Sequence, residues 1–343
     1  MTGKGENTLS KIRDVDYLTL SARIHAMETR LLTEERMDRM IDARDTDEAA
    51  KVLAECGYGD LSEPTGDGVE RLLTEAQAEL FRDLGGYAVA RPVIEVFRCK
   101  YDYHNAKVLV KAAALGMEPG GAEHMLLPGG RYDPKAMLEE FQRGELTMCG
   151  DILRRGVSRA RETLGSTGDP QLADFILDRA YFEELTALAK AADSAFLQGY
   201  VALLIDAANL RSAVRASRLG KGRDFLEQVL LPGGTVSVQT ISAAGGQGVD
   251  GVFHAGPLAQ AAEAGAALAE PGSGALTDFE RLCDDAVMEY LGGGRRVAFG
   301  EQPVIGYLYA REAEMTAVRI IMNGRLAGLS GDVIRRRLRR PYA

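Results

Sequence analysis

The stretch Leu-Leu-Pro-Gly-Gly stands twice in this 343-residue chain, at 126–130 and 230–234, each time at the same distance behind the asparagine of an Asp-x-x-Asn pair. Sliding the sequence on itself by 104 residues aligns Phe97 to Gly130 with Val201 to Gly234 and makes 12 of 34 positions identical. About two identities would be expected by chance from ordinary residue usage. Asp102 falls on Asp206, Asn105 on Asn209 and the LLPGG stretches on each other, while Lys107 and Lys111 fall on Arg211 and Arg215. A weaker third copy follows at a further offset of 108: Glu314 falls on Asp206, Arg319 on Arg211 and Gly328 on Gly220, with Ala317 in place of the asparagine. A chain repeating in this way is expected to fold as three units of about 100 residues, which also suits a length beyond the usual single core. The boundaries read as 1–116, 117–220 and 221–343, the last carrying a basic C-terminal helix.

Each unit is expected to end in a long helix marked by an acid and, five residues on, a base, with an amide at +3 and a second base at +9 in two of the three copies. Acid and amide share a face, from which they can hydrogen-bond laterally to the next helix, and the two bases, four apart, share another stripe. LLPGG then ends one unit and turns the chain into the next.

Helical periodicity dominates elsewhere. Leu32 to Glu55 carries apolar residues at three-and-four spacing, with Thr33 placed to cap its start. Gln171 to Gly220 runs without proline and reads as one very long helix or two joined near Gly199. Pro303 to Met322 reads as a helix stopped at Gly324, and RYDPKAMLEEF as another helix. TVSVQTI, Thr235 to Ile241, is the one good case of strand-like alternation, so the fold class is all-α.

Motifs that would carry chemistry are few. GQGVDG at 246–251, with Glu270 some twenty residues on, matches the spacing of a dinucleotide loop; lacking alternating strands and helices, it reads as a flexible loop. No G-x-x-x-x-G-K-[ST] phosphate loop or G-x-S-x-G elbow occurs, and GGGRR at 292–296 reads as a glycine turn between helices. His25, His104, His124 and His254 have no i,i+4 partner, so no metal or catalytic base is expected, and no cofactor. Cys56, Cys99, Cys149 and Cys283 lie far apart, with no C-x-x-C spacing, and read as buried or incidental thiols. A net charge of −9 offers nucleic acid no basic field. The N-terminal stretch MTGKGENTLSKIRDVDY has no apolar signal core and no window approaches the length of a membrane span. The tail VIRRRLRRPYA reads as a short basic amphipathic helix, either solvated or touching an acidic partner or lipid headgroups.

Three blocks, Tyr17 to Gly59, Tyr87 to Ala112 (with KYDYHN) and Gly300 to Tyr342 (with EQPVIGYLYAREAE), resemble the C subunit of bacterial and archaeal V/A-type rotary ATPases, whose counterpart in eukaryotic V-ATPases is the d subunit. The resemblance implies three helical units around a pseudo-threefold axis, forming a funnel. It implies a non-catalytic rotor component that passes torque between the central stalk (D- and F-type subunits) and the membrane rotor ring (c/K/L type). Its place would be peripheral, at the cytoplasmic face of the membrane, reached through the ring. The sequence departs from the family mainly at Thr235 to Gly274, rich in Gly and Ala. Asp102, Asn105, Lys107, Asp206, Asn209, Arg211, Glu314 and Arg319 are expected to hold unit to unit rather than to catalyse. A helical-repeat scaffold with an unrelated protein partner is the alternative.

Overall fold

The computed structural model describes residues 12–342; residues 1–11, where most of the stretch read as lacking a signal core falls, lie outside it, as does Ala343. The described chain is built from α-helices and short 3-10 turns, with no strand among its residues. The first helices are α1 (Leu18–Glu28), α2 (Glu34–Asp42), α3 (Thr46–Glu55), α4 (Gly66–Gly85) and the long α5 (Arg91–Ala114). Next come α6 (Pro119–Glu123), α7 (Pro134–Arg143), α8 (Asp151–Thr167), α9 (Pro170–Ala191) and the long α10 (Ala195–Arg218). The remainder comprises α11 (Arg223–Val229), α12 (Val238–Ala244), α13 (Val249–Val252), α14 (Ala259–Ala267), α15 (Thr277–Gly292), the long α16 (Glu301–Leu326) and α17 (Gly331–Arg337).

The three long helices end alike. Gly116, Gly220 and Gly328 take φ of +65°, +64° and +70°. Each lets the next N–H, that of Met117, Lys221 or Leu329, return to the carbonyl of Ala112, Ala216 or Gly324. This is the left-handed cap that glycine adopts without strain.

One core runs through most of the molecule, with α5 packed on α8 and α9, and α10 packed on α9, α14 and α15. A second core joins the two ends of the chain. It buries Met37, Met40, Leu53 and Leu73 of α2, α3 and α4 against Met315, Val318, Ile321 and Met322 of α16. Each such fully buried side chain contributes about 1.5–3 kcal/mol.

Several expectations are corrected. Leu32 to Glu55 is two helices, because Asp45 caps a new start by accepting from the N–H of Glu48; Thr33 does cap the first, accepting from Arg36 N–H. The long run from 171 breaks not at Gly199 but at Ala192 to Ser194, where Asp193 takes φ +51° and Ser194 caps α10. Gly199 lies inside α10 because a Cβ there would overlap the Tyr290 hydroxyl oxygen. Gly324 is likewise inside α16, and Gly328 is the stop. TVSVQTI is no strand: Ser237 accepts from Thr240 N–H and opens α12, which buries Ile241. GQGVDG is no loose loop but a 3-10 turn running into α13, with Gly246 pressed on α10, where a Cβ would stand 2.6 Å from the Ala213 carbonyl oxygen.

Candidate functional site

The repeated residues form three latches, one on each long helix. On α5, Asn105 and Asp102 are fully buried. The Asn105 amide pairs two ways with one backbone unit: its Nδ2 donates to the Leu127 carbonyl at 2.9 Å, and the Leu127 N–H donates to its Oδ1 at 2.8 Å. Asp102 accepts from the Arg131 N–H at 2.8 Å, the Arg131 Nε at 2.6 Å and the Tyr132 N–H at 3.3 Å. Acid and amide therefore hold the Leu-Leu-Pro-Gly-Gly turn rather than a neighbouring helix, as the spacing alone suggested. The glycines are required by this approach: a Cβ on Gly130 would overlap Asp102 Oδ1, and one on Gly234 would overlap Asp206 Oδ1. Arg131 continues inward, its Nη2 lying 2.8 Å from Glu184 Oε1 on α9, and Tyr103 on α5 donates its hydroxyl to the same carboxylate at 2.7 Å. Burial pushes the Asp102 carboxyl up to about 6, with the guanidinium and the N–H donors pulling the other way.

The bases at +5 and +9 take the neighbouring helix. Lys107 Nζ donates to Asp178 at 2.6 Å and Lys111 Nζ to Asp174 at 2.7 Å, both on α9. The α10 latch repeats the plan. Asn209 Nδ2 donates to the Leu231 carbonyl at 2.8 Å and the Leu231 N–H returns to Asn209 Oδ1 at 2.7 Å. Asp206 accepts from the Thr235 N–H at 3.0 Å, the Thr235 hydroxyl and the Val236 N–H. Arg211 pairs with Asp284 and Arg215 with Glu280, both on α15.

The α16 latch reaches back to the start of the chain. Glu314 accepts from the Leu32 N–H, from the Tyr58 hydroxyl at 2.6 Å and from Arg311. The Leu32 N–H thus goes to the carboxylate of Glu314, whereas the Leu127 and Leu231 N–H groups go to the amides of Asn105 and Asn209. Burial pushes the Tyr58 hydroxyl well above its ordinary value, the neighbouring Glu314 carboxylate adding to the rise. Arg319 Nε lies 2.9 Å from both carboxylate oxygens of Glu70 on α4.

The structure thus brings all eight singled-out residues into three sets of contacts: Asp102, Asn105 and Lys107; Asp206, Asn209 and Arg211; Glu314 and Arg319. Sequence reasoning missed the receiving residues, Arg131, Glu184, Thr235, Tyr58 and Arg311, together with the acid pairs. Two signals were present: Arg131 and Thr235 each directly follow LLPGG, and Asp174/Asp178 and Glu280/Asp284 are acids four apart, matching bases four apart.

The four cysteines are buried and free, with burial pushing Cys56 up to about 11 and Cys149 and Cys283 up to about 12, which keeps the thiols protonated. Among the described residues no cluster of three metal-ligating side chains occurs, and no helix is long and apolar enough to cross a membrane.

Residues 20–337 match the family model of the ATP synthase (C/AC39) subunit. The chain is similar to the C subunit of the A-type ATP synthase of Methanocaldococcus jannaschii, 25% identical over 93% of this chain and 85% of that one. It is similar also to the C subunit of the V-type sodium ATPase of Enterococcus hirae, at 21% identity over 96% and 99% of the two chains. With the C subunit of the V-type ATP synthase of Thermus thermophilus it shares 28% identity over 69% and 78%.

Proposed function

The chain belongs to the ATP synthase (C/AC39) subunit family, and from that premise we propose that it is the rotor component that joins the central stalk to the membrane rotor ring of a V/A-type ATPase. It passes torque between the two during ATP-driven ion pumping or ion-driven ATP synthesis, and takes no covalent step itself. Its partners are the D- and F-type stalk subunits on one side and the c/K/L-type ring on the other. It sits at the cytoplasmic face of the membrane, held there through the ring.

The observation that carries this reading is the return of α16 to the N-terminal helices through Glu314 and Arg319. In this reading 1–116, 117–220 and 221–343 are three units about a pseudo-threefold axis, each grasping the next, and the eight latch residues hold unit to unit. Head-to-tail contacts close into a ring when the rotation between copies allows it, as an open series would not. A closed, densely packed ring has no free end to unwind, and dense interiors resist compression, which is what torque transmission asks of a linker.

The test is a pull-down of the chain with the stalk pair and the detergent-solubilised ring from the same source, in about 150 mM salt so that weak charge contacts are screened. Binding to both is expected. Binding to neither would leave a helical-repeat scaffold for an unrelated partner.

A further inference from the structure

Of the C-terminal arginines, Arg336, Arg337 and Arg340 are exposed to solvent, whereas Arg335 and Arg339 reach across the chain. α17 is only seven residues long and cannot hold itself together. It is pinned by Ile334, which is buried against α16 where Gly324 makes room; a Cβ on that glycine would stand 2.9 Å from the Ile334 side chain. From there Arg335 forks onto α2, its Nε donating to Asp38 at 2.8 Å and its Nη2 to Asp42 at 2.6 Å. The chain then leaves the helix at Leu338 and crosses to α15. Arg339 Nε donates to Asp284 at 2.7 Å, and the Arg340 N–H donates to Asp285 at 3.2 Å. Tyr342 ends the path buried, with its carbonyl accepting from Arg295 at 2.6 Å and its ring 5.3 Å under the same guanidinium.

Beneath this span lies a cleft of about 710 Å³ between α2 and α14–α15, with Glu34, Asp38, Asp285 and Glu289 on its walls and Arg335 and Arg339 across it. The strap is therefore fixed at its two ends by apolar groups and held between them by ion pairs in partial contact with water. Arg335 and Asp42 keep 37% and 65% of their side chains exposed. Asp284 takes Arg339 on one oxygen and the α10 latch base Arg211 on the other, so strap and latch meet at one carboxylate.

We propose that residues 331–342 are a clasp that closes the first helices of the chain onto α15, and that breaking its two arginine contacts opens the cleft without unfolding the body. The proposal rests on the contact between the two ends of the chain and not on the rotor assignment, so it is tested on the isolated full chain. Hydrogen–deuterium exchange is compared between the parent chain, Arg335→Ala/Arg339→Ala, and a control of equal charge change, Arg336→Ala/Arg337→Ala. Peptides from α2 and α15 are expected to exchange about tenfold faster in the first variant, with α5 and α9 unchanged and the control like the parent. Unchanged α2 and α15 would overturn the proposal. So would acceleration spread equally through α5 and α9, which would make the tail part of the global core, or the same effect in the control, which would make it one of net charge.

Discussion

The latches on α5 and α10 share Asp, Asn and LLPGG, yet they solve the same burial problem differently. At α5 the buried carboxylate meets a charge, Arg131, which brings a second buried carboxylate, Glu184, with it. At α10 the same carboxylate meets Thr235 and backbone N–H groups, all neutral. What the repeat preserves is therefore the grip on the Leu-Leu turn, while the partner of the acid is free to vary so long as the acid is satisfied. A charged solution is costly to break, because removing one partner strands the others in the interior.

That difference sets the order of expected effects. Arg131→Ala leaves Asp102 and Glu184 without their cation and should cost about 3–5 kcal/mol, read as a drop in the urea midpoint. Thr235→Val at the matching place should cost about 1 kcal/mol. Equal losses at the two sites would break the distinction. Asn105→Ala and Asn209→Ala should by contrast match each other, at about 1–3 kcal/mol each, since both strand one backbone N–H and one carbonyl; the urea midpoints of the two variants check this. Lys107→Ala and Arg211→Ala remove partly exposed ion pairs and should each cost less than about 1 kcal/mol, with the loss shrinking further in high salt. A separate test is in pH. Asp102 is pushed up to about 6 in the folded chain from 3.8. Its contribution is therefore full below the lower value and is lost as pH rises through the upper one. Asp102→Asn should flatten that part of the stability curve, and a slope unchanged between pH 4 and 6 would assign it to other groups.

The α16 latch stands apart from both. The first two grip a turn that follows within about thirty residues, whereas Glu314 grips the Leu32 N–H, 282 positions earlier in the chain. Closing that span has an entropic cost which grows only slowly with length, and the second core together with the Arg325 contacts to the Ile41 and Ala43 carbonyls stand ready to offset it.

The all-helical class, the long helices and the residues of the latches were legible in the sequence because repetition and 3.6-residue periodicity are properties of the chain itself. The targets of the latches were not. Asp102 and Asn105 share a helix face whether they meet a helix or a turn, and only the fold decides which. TVSVQTI reads as a strand because Val, Thr and Ile favour pleated surfaces, yet Ser237 caps it into a helix that buries Ile241, tertiary context overriding a short pattern. Gly199 resembled a break because glycine weakens helices, whereas its role is to admit the Tyr290 hydroxyl. The tail resembled a solvated helix because its acids, Asp38, Asp42 and Asp284, lie in distant segments.

The most direct test of the coupling role is to assemble the complete complex in vesicles with and without this chain and to follow ATP hydrolysis and ion uptake side by side. The account predicts that hydrolysis by the head continues without the chain while ion uptake stops, and that adding the chain back restores uptake. Ion uptake that proceeds at the full rate without it would contradict the account.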